Sequence, residues 1–396
     1  MIKLYSEKNF NLDSIKIRTY KPFNEEIVDS IDSLSKKIIH SSEAKKFSEI
    51  MSLGFWMRKS NIYNYKKKYG EDVTKFSNGV GMLFHIPPSN IETGFVYSLF
   101  FGLITGNTNV LRLPKNSLKI ANFLVSKINL LKNNQKKIFR ELIHMIAFDR
   151  NDSLINNISN VSDARLIWGS DETINLFKKT KTKISCRDMF FSDKFSLSLL
   201  NSDNMMKLSS SEMNILTKRF YNDTYLIDQN ACSSPHLILW TGKNIDKAKK
   251  KFWSKMSIII KQSYNLEHFA AIDKFNSAMI YSASKNEKIE IKNYDNYLVR
   301  INLKKLDDKI DKLKGKWGLF YEFSNMNKFM INLPFSKKYQ TLTYFGYKKS
   351  EIEKLINNSN IHTLNRIVPV GSSLDMNLYW DGYDIVSMLT KKISFS

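Results

Sequence analysis

The strongest constraint on the fold of this chain is an alternation of short apolar runs with longer helical stretches, punctuated by proline and glycine. GVGMLFHI at 79–86 is a short, nearly continuous apolar run, and it predicts a buried strand. Pro87, Pro88, Ser89 and Asn90 follow it and open a predicted helix over 91–105, with Ser89 or Asn90 suited to capping. Gly106-Asn107 closes that helix, and NVLRL at 109–113 predicts a second strand before Pro114. Ile120, Phe123, Leu124, Ile128 and Leu131 then recur with the spacing of an amphipathic helix. The pattern continues with ARLIW at 164–168, a helix whose first turn holds Asp171 and Glu172, and FSLSLL at 195–200.

Strands that alternate with helices imply βαβ units and a mainly parallel sheet. Such sheets bind ligands where loops leave the carboxyl ends of strands. The loops at 86–90, 113–117 and 169–173 occupy that place, which makes the first half of the chain the candidate cofactor domain. A long helical stretch, Ser209–Leu226, precedes DQNACSSPHLILW at 228–240, where a polar turn carrying Cys232 runs into an apolar strand; YLVRI at 297–301 predicts another strand. Residues 1–75 are polar and basic, with helical periodicity from about Ile31 to Trp56.

The length of 396 residues suits two or three domains, and 42% hydrophobic with 25% charged residues suits a folded chain. The net charge of +23, from 61 Lys and Arg against 38 Asp and Glu, would favour nucleic acid, acidic membranes or phosphorylated small molecules. The excess is mostly lysine scattered along the chain, and its densest run, KAKKK at 247–251, lies in an amphipathic stretch with no arginine–aromatic stripe. We therefore read it as solvated surface that helps attract anionic cofactors, with no nucleic acid expected.

Cys186 and Cys232 are too few for a disulfide framework or a cysteine-based structural metal site, and His40, His85, His144, His236, His268 and His362 show no metal-ligand spacing. No metal is expected. The N-terminus lacks the apolar core of a signal peptide, and the most apolar stretch, Phe95–Ile104, falls short of the about 20 residues that span a bilayer. The expectation is a cytoplasmic protein without a membrane span.

Cys232, in a turn ahead of an apolar strand, is either a nucleophile presented at a cleft or a small buried hydrophobe, and spacing alone leaves both open. Cys186, in ISCRD, has less in its favour. No glycine-rich GxGxxG follows any predicted strand, so the ordinary dinucleotide fingerprint is absent.

HIPPSNIETGFVYSLFFGLITGNTNVLRLPKNS, ARLIWGSDETI, DQNACSSPHLIL, KYQTLTYFG and RIVPVGSSLDM with YWDGYD stand in that order over roughly residues 80–390. Together they resemble the bacterial acyl-CoA reductase family, which includes the LuxC fatty acid reductases of bioluminescence systems and belongs to the aldehyde dehydrogenase superfamily. The resemblance implies an aldehyde dehydrogenase-like α/β fold: two α/β domains with mainly parallel Rossmann-like sheets and an active-site cleft between them. The expected division is residues 1–205, with 366–396 returning, as the NADP-binding domain, and 206–365 as the catalytic domain.

The resemblance also assigns roles. It makes Cys232 the nucleophile and Asn90 the side-chain amide of the oxyanion hole, beside the backbone N–H of Cys232. Arg112 falls at the adenosine ribose, and Lys115 falls where NAD-preferring relatives carry a glutamate; two cations there favour NADPH. Gly169 and Ser170 match a turn near the cofactor phosphates, with Thr173 one helical turn on, although Asp171 and Glu172 oppose an anion there. Glu322, in LFYEF, falls near a glutamate that positions the nicotinamide ribose; a surface glutamate is the alternative. His236 and His268 could act as acid or base, with packing the competing role.

Hydrolytic superfamily members carry Glu-Leu-Gly-Gly ahead of the cysteine as the base for water. Here that region reads SLSLLNSDN at 196–204, without a glutamate, so an acyl-enzyme should outlast attack by water. The implied reaction is NADPH-dependent reduction of an acyl thioester, acyl-CoA with coenzyme A as the leaving group, through acyl-Cys232 to an aldehyde. The alternatives are an acyl-phosphate or aminoacyl-thioester reductase on the same fold, or a non-catalytic basic scaffold that binds nucleic acid. The resemblance further implies a homo-oligomer and an acyl-CoA or acyl-protein donor, with an acyl-protein synthetase as a partner.

Overall fold

The continuous apolar runs are parallel strands buried on both faces. The structure, a computed structural model, describes residues 4–6, 9–46, 48–148, 153–285, 290–324, 331–359 and 363–394; His362 lies outside them. The chain divides into two units, residues 1–192 with 376–396, and residues 193–375.

In the first unit, β1 (Leu4–Ser6), β2 (Met82–Ile86), β3 (Thr108–Arg112), β4 (Ile143–Ala147), β5 (Ala164–Trp168) and β6 (Arg187–Phe191) form one sheet in the order β1-β4-β3-β2-β5-β6. All its pairings are parallel. Alternate side chains enter different cores: Leu83 and Leu111 join one, Phe84 and Val110 the other, as the two-residue period of a strand requires. The first core is covered by α1 (Glu25–Ile39), α2 (Gly94–Ile104) and α3 (Leu118–Asn129). The periodic stretch read from Ile31 to Trp56 is thus not one helix: α1 ends at Ile39, and a separate helix spans Ser48–Trp56. α1 is capped by Asn24, whose Oδ1 accepts from the N–H groups of Glu26 and Ile27.

α2 starts three residues later than the sequence suggests. Its N-cap is Thr93, with no side-chain cap bond, so neither Ser89 nor Asn90 caps it. The Pro88 ring folds back on Gly94, where an added Cβ would lie 2.7 Å from Pro88 Cγ. This keeps 87–93 as a loop and requires glycine at its close.

A buried polar chain crosses this sheet. Ser98 Oγ lies 2.8 Å from His85 Nδ1, and His85 Nε2 lies 3.0 Å from Asn109 Oδ1. Asn109 Nδ2 donates to the carbonyls of Asn107 and Leu142, and Trp168 Nε1 donates to Ser98 Oγ at 3.3 Å. Burial pushes the His85 imidazole down to about 4. With Asn109 Oδ1 as acceptor, Nε2 carries the proton and Nδ1 accepts from Ser98.

In the second unit, β7 (Phe195–Asn201), β8 (Pro235–Thr241), β9 (Glu290–Tyr294), β10 (Leu298–Leu303), β11 (Leu319–Phe323), β12 (Tyr339–Phe345) and β13 (Arg366–Pro369) form a sheet in the order β9-β10-β11-β8-β7-β12-β13. Only β9 with β10 is antiparallel. Leu237 and Leu239 face one core; Ile238 and Trp240 face the other, under α4 (Ser210–Thr224) and α5 (Ile245–Ser263). The unit boundaries fall at 192/193 and 375/376 rather than 205/206 and 365/366. β7, expected in the first domain, pairs with β8 and β12, and β13 pairs with β12, so both strands belong to the second sheet. Periodicity identifies a strand without saying which sheet it joins. The segment from Met376 returns to the first unit, where Thr390–Lys392 pairs with Ser77–Gly79.

Buried between β8, β10, β11 and α5 is a charged cluster centred on Glu322. Its Oε1 accepts from the indoles of Trp240 (2.8 Å) and Trp253 (2.9 Å); its Oε2 accepts from Arg300 (2.7 Å), with the Lys249 ammonium at 3.6 Å. The Arg300 guanidinium also lies 5.3 Å from the Trp253 ring centre.

Two tests follow. The unfolded imidazole takes a proton near its ordinary value while folded His85 resists until about 4, so His85 costs nothing at neutral pH and stability falls as pH drops below about 6.5. At pH 5 this amounts to about 2 kcal/mol, and His85→Gln should reduce the pH 7-to-5 loss by that amount in urea unfolding; an unchanged slope would refute it. Glu322→Ala leaves two buried indoles without their acceptor and two buried cations without their counter-charge, and should cost about 3–5 kcal/mol. A loss under about 1 kcal/mol in denaturant unfolding would show that the cluster is not built around this carboxylate.

Candidate active site

In the first unit, strand order reverses between β2 and β5: the chain steps from β2 to β3 to β4 on one side, then β5 and β6 fill the other. Loops leaving the carboxyl ends of strands beside such a reversal form the usual ligand crevice. The loop after β2 carries Asn90, which is exposed. Asn116, in the turn after β3, donates its amide to Ser89 O at 2.7 Å, tying these two loops together. Arg112 is the last residue of β3, buried to 8% exposure, with its guanidinium 5.8 Å from the Phe148 ring centre. Lys115 is exposed on the following 3-10 turn. The two expected cations therefore share one edge of one sheet but differ in exposure: Arg112 is buried on the strand, and Lys115 is exposed on the turn.

The turn after β5 departs from expectation. Gly169 N–H donates to Phe191 O at 3.1 Å. Ser170 caps the helix Asp171–Lys179 by accepting from Thr173 N–H, and its hydroxyl donates to Glu172. Asp171 and Glu172 are exposed in the first helical turn. The start of this helix is closed by its own side chains and carries two carboxylates, so it is a poor anion cradle. Of the expected phosphate contacts, the Gly169 N–H is taken by Phe191 O and the Thr173 N–H by the Ser170 hydroxyl.

In the second unit, Cys232 is half-buried in the turn Ala231–Ser234, closed by Ser234 N–H donating to Ala231 O at 3.0 Å, immediately before β8. The turn is reached through two consecutive left-handed residues, Asp228 (φ 56) and Gln229 (φ 61). Neither is glycine, and each such residue costs roughly 1–2 kcal/mol unless its surroundings over-determine it. Here they do. Tyr264 donates its hydroxyl to Asp228 Oδ1 at 2.5 Å, and Trp317 N–H donates to Asp228 O at 3.1 Å. Gln229 Nε2 donates to the carbonyls of Pro235 (3.0 Å) and Leu319 (3.2 Å), and its Oε1 accepts from Gly318 N–H (3.1 Å). Beyond the turn, Ser196 on β7 donates to Cys232 O at 2.6 Å and accepts from Thr341 N–H at 3.1 Å. The sequence reading missed Gln229 and Ser196; the one available signal was a polar amide immediately before the cysteine turn.

The other titratable candidates separate on chemistry. Burial and then Asp188 push the Cys186 thiol up to about 11, so it is inert at neutral pH. Burial, then Lys314, pushes His236 down to about 3, and its ring lies 5.6 Å from Phe195, centre to centre: it packs as a neutral group. His268 is exposed at the start of the helix His268–Ala283. The expectation for Glu322 is corrected. Its two carboxylate oxygens are spent on Trp240, Trp253 and Arg300 inside the core at 1% exposure, leaving no face for a ribose. The segment 196–204, where hydrolytic relatives carry their base, is β7 running into the short helix Ser202–Met206.

The motif RIVPVGSSLDM has a structural role. Asp223 in α4 accepts from the N–H groups of Gly371 (2.6 Å) and Ser373 (2.8 Å), while Arg366 donates to the carbonyls of Ser372, Ser373 and Asp375. Burial pushes the Asp223 carboxyl up to about 6 against those bonds. Among the described residues, no group of three or more His, Cys, Asp or Glu is placed to hold a metal ion, and no helix is long and apolar enough to cross a membrane.

Comparison with solved structures returns the aldehyde dehydrogenase fold. Aldehyde dehydrogenase 21 from Physcomitrella patens superposes with a TM-score of 0.60 at 11% identity, over 93% of this chain and 83% of that one. An aldehyde dehydrogenase from Bartonella henselae gives 0.57 at 12% identity, over 94% and 85%. The NAD-dependent aldehyde dehydrogenase from Sinorhizobium meliloti gives 0.59 at 10%, over 92% and 79%. At such identities the likeness speaks for the fold alone. No curated protein matches the chain by sequence. The family described as acyl-CoA reductase (LuxC) matches residues 3–296. The protein is an oxidoreductase of aldehyde chemistry, and it belongs to the LuxC family of acyl-CoA reductases.

Proposed function

We propose that this protein reduces an acyl thioester, acyl-CoA or an acyl group handed over by a partner acyl-protein, to an aldehyde, with the acyl group carried on Cys232. The observation that carries this reading is the Cys232 turn: a half-buried thiol three residues beyond a strained, heavily anchored pair, Asp228 and Gln229, in a member of an acyl-CoA reductase family. Strained backbone at a reactive side chain is paid for by surrounding bonds, and it accumulates where geometry matters to chemistry.

In the proposed reaction, the Cys232 thiolate attacks the thioester carbonyl and the carbonyl π electrons move to oxygen. The Asn90 amide and the Cys232 backbone N–H donate to that oxyanion. As the carbonyl re-forms, the carbon–sulfur bond to coenzyme A breaks, and the thiolate leaves to take up a proton. An acyl-Cys232 thioester remains. A bound nicotinamide cofactor would supply the hydride that brings the acyl carbon to the aldehyde level. Cys232 sulfur then departs as thiolate and the aldehyde is released.

Residues of the first unit suit an NADP cofactor by the chemistry of their donors. Arg112 and Lys115 are cations at one carboxyl sheet edge, and both can bond a 2′-phosphate. β7 supplies no carboxylate between Phe195 and Asn201, so the reading needs no water-activating base, and a thioester on Cys232 survives long enough to be reduced.

Incubation with radiolabelled acyl-CoA, without NADPH, should put a hydroxylamine-sensitive label on Cys232 in stoichiometric yield; no label would overturn the route. Asn90→Ala should lower kcat by about 100-fold or more while leaving cofactor affinity unchanged. Lys115→Glu should move the NADPH-to-NADH preference in kcat/KM by about tenfold toward NADH, and an unchanged ratio would remove the NADP assignment.

A further inference from the structure

β8, the strand that follows Cys232, runs between β11 and β7; at the end nearest the cysteine its ladder to β11 starts late and its ladder to β7 is irregular. With β11 the register begins only at Leu237 opposite Tyr321. With β7 it shifts between Ser196 and Leu197. Pro235, the first residue of β8, has no N–H to offer either side. Two side chains stand in for the missing rungs. On the β11 side, the Gln229 amide bonds Pro235 O, Leu319 O and Gly318 N–H. On the β7 side, Ser196 donates to Cys232 O and accepts from Thr341 N–H.

Both groups are enclosed: Gln229 is 1% and Ser196 0% exposed. A buried amide is expensive unless its bonds are made, and Gln229 also occupies a left-handed backbone position. If filling space were the only requirement at this position, an apolar side chain on ordinary backbone would meet it at lower cost. The bonds instead link the Cys232 turn, at Cys232 O and Pro235 O, to Gly318 and Leu319 on one side and to Thr341 on the other.

We propose that Gln229 and Ser196 are positioning residues for Cys232, paired side-chain rungs that clamp the nucleophile turn to the two strands beside β8. This rests on the reading of Cys232 as the nucleophile. Loosening either rung leaves the thiol in place but widens the range of positions it samples, and a displacement of about 1 Å is enough to cost roughly 100-fold in rate.

The test compares Gln229→Met, which keeps volume and removes the three bonds, and Ser196→Ala, with Thr217→Val as a control. Thr217 donates to Met213 O within α4 at 2.8 Å, so its loss perturbs the unit without touching the turn. Amide exchange of the peptide covering 230–234 reads the clamp directly, whatever reaction the protein performs; steady-state kinetics read its consequence. The expected result is faster exchange in that peptide, kcat lowered roughly 10- to 100-fold and KM for the cofactor within about twofold of wild type, none of which Thr217→Val reproduces at a similar loss of thermal stability. Faster exchange with unchanged kcat, or unchanged exchange in both variants, would overturn the proposal. Should Gln229→Met fail to fold, Ser196→Ala decides it by the same two measurements. Full aldehyde formation by Cys232→Ser would instead overturn the nucleophile reading, while the exchange result would still stand or fall by itself.

Discussion

Parallel strands cannot be joined by a tight turn, so each must be returned by a crossover on one face of its sheet, and this requirement organises both units. It forces both faces of each sheet under cover, which explains why strands such as β2 and β3 are buried at every residue. It also sends successive loops out from the same edge. In the first unit the loops after β2, β3 and β5 emerge at one edge, and the reversal of strand order beside β2 is where they can diverge around a ligand. The placement of Asn90, Arg112, Lys115 and Gly169 on those loops or strand ends follows from sheet topology before any side-chain chemistry is considered.

Cys232 obeys a different geometry. It precedes its strand instead of following one, so the carboxyl-edge rule does not place it. What holds it is a set of bonds from its neighbours in the sheet, and the backbone that reaches it carries strain at Asp228 and Gln229. Rigidity here comes from side-chain hydrogen bonds that close a gap in the ladders, not from the ladders themselves.

The fold was legible in the sequence where apolar runs were bounded by proline or glycine: β2, β3 and β5 lie within a residue or so of the runs at 79–86, 109–113 and 164–168 at their carboxyl ends. The start of α2 was not, because Pro88 packing on Gly94 is a contact between residues six apart that no capping rule describes. Sheet membership of β7 and β13 was hidden for a related reason: a strand's pattern records burial, and both sheets are buried. Cys232 and the two cations could be singled out by residue type and resemblance. Glu322 shows the limit of that approach. Its local sequence, LFYEF, does not reveal that Trp240, Trp253 and Arg300, distant in sequence, converge on its carboxylate. Gln229 is the converse case, a residue whose importance lies wholly in partners up to 90 positions away.

Two carboxylate placements together give the second unit its chemical character. Glu322 is committed to indoles and a guanidinium in the core, and β7 presents serines where a hydrolytic relative would present a glutamate. A carboxylate beside an acyl-cysteine would deprotonate water and turn the thioester into an acid. Glu322 is locked into the scaffold, and β7, whose Ser196 bonds the Cys232 carbonyl, carries no carboxylate of its own, so in the proposed reaction that strand brings no base to the acyl-cysteine. Ser196, on that strand, spends its hydroxyl holding the Cys232 carbonyl. In the proposed reaction the same strand therefore does two things: it withholds the base that would hydrolyse the acyl group, and it helps fix the atom that carries it.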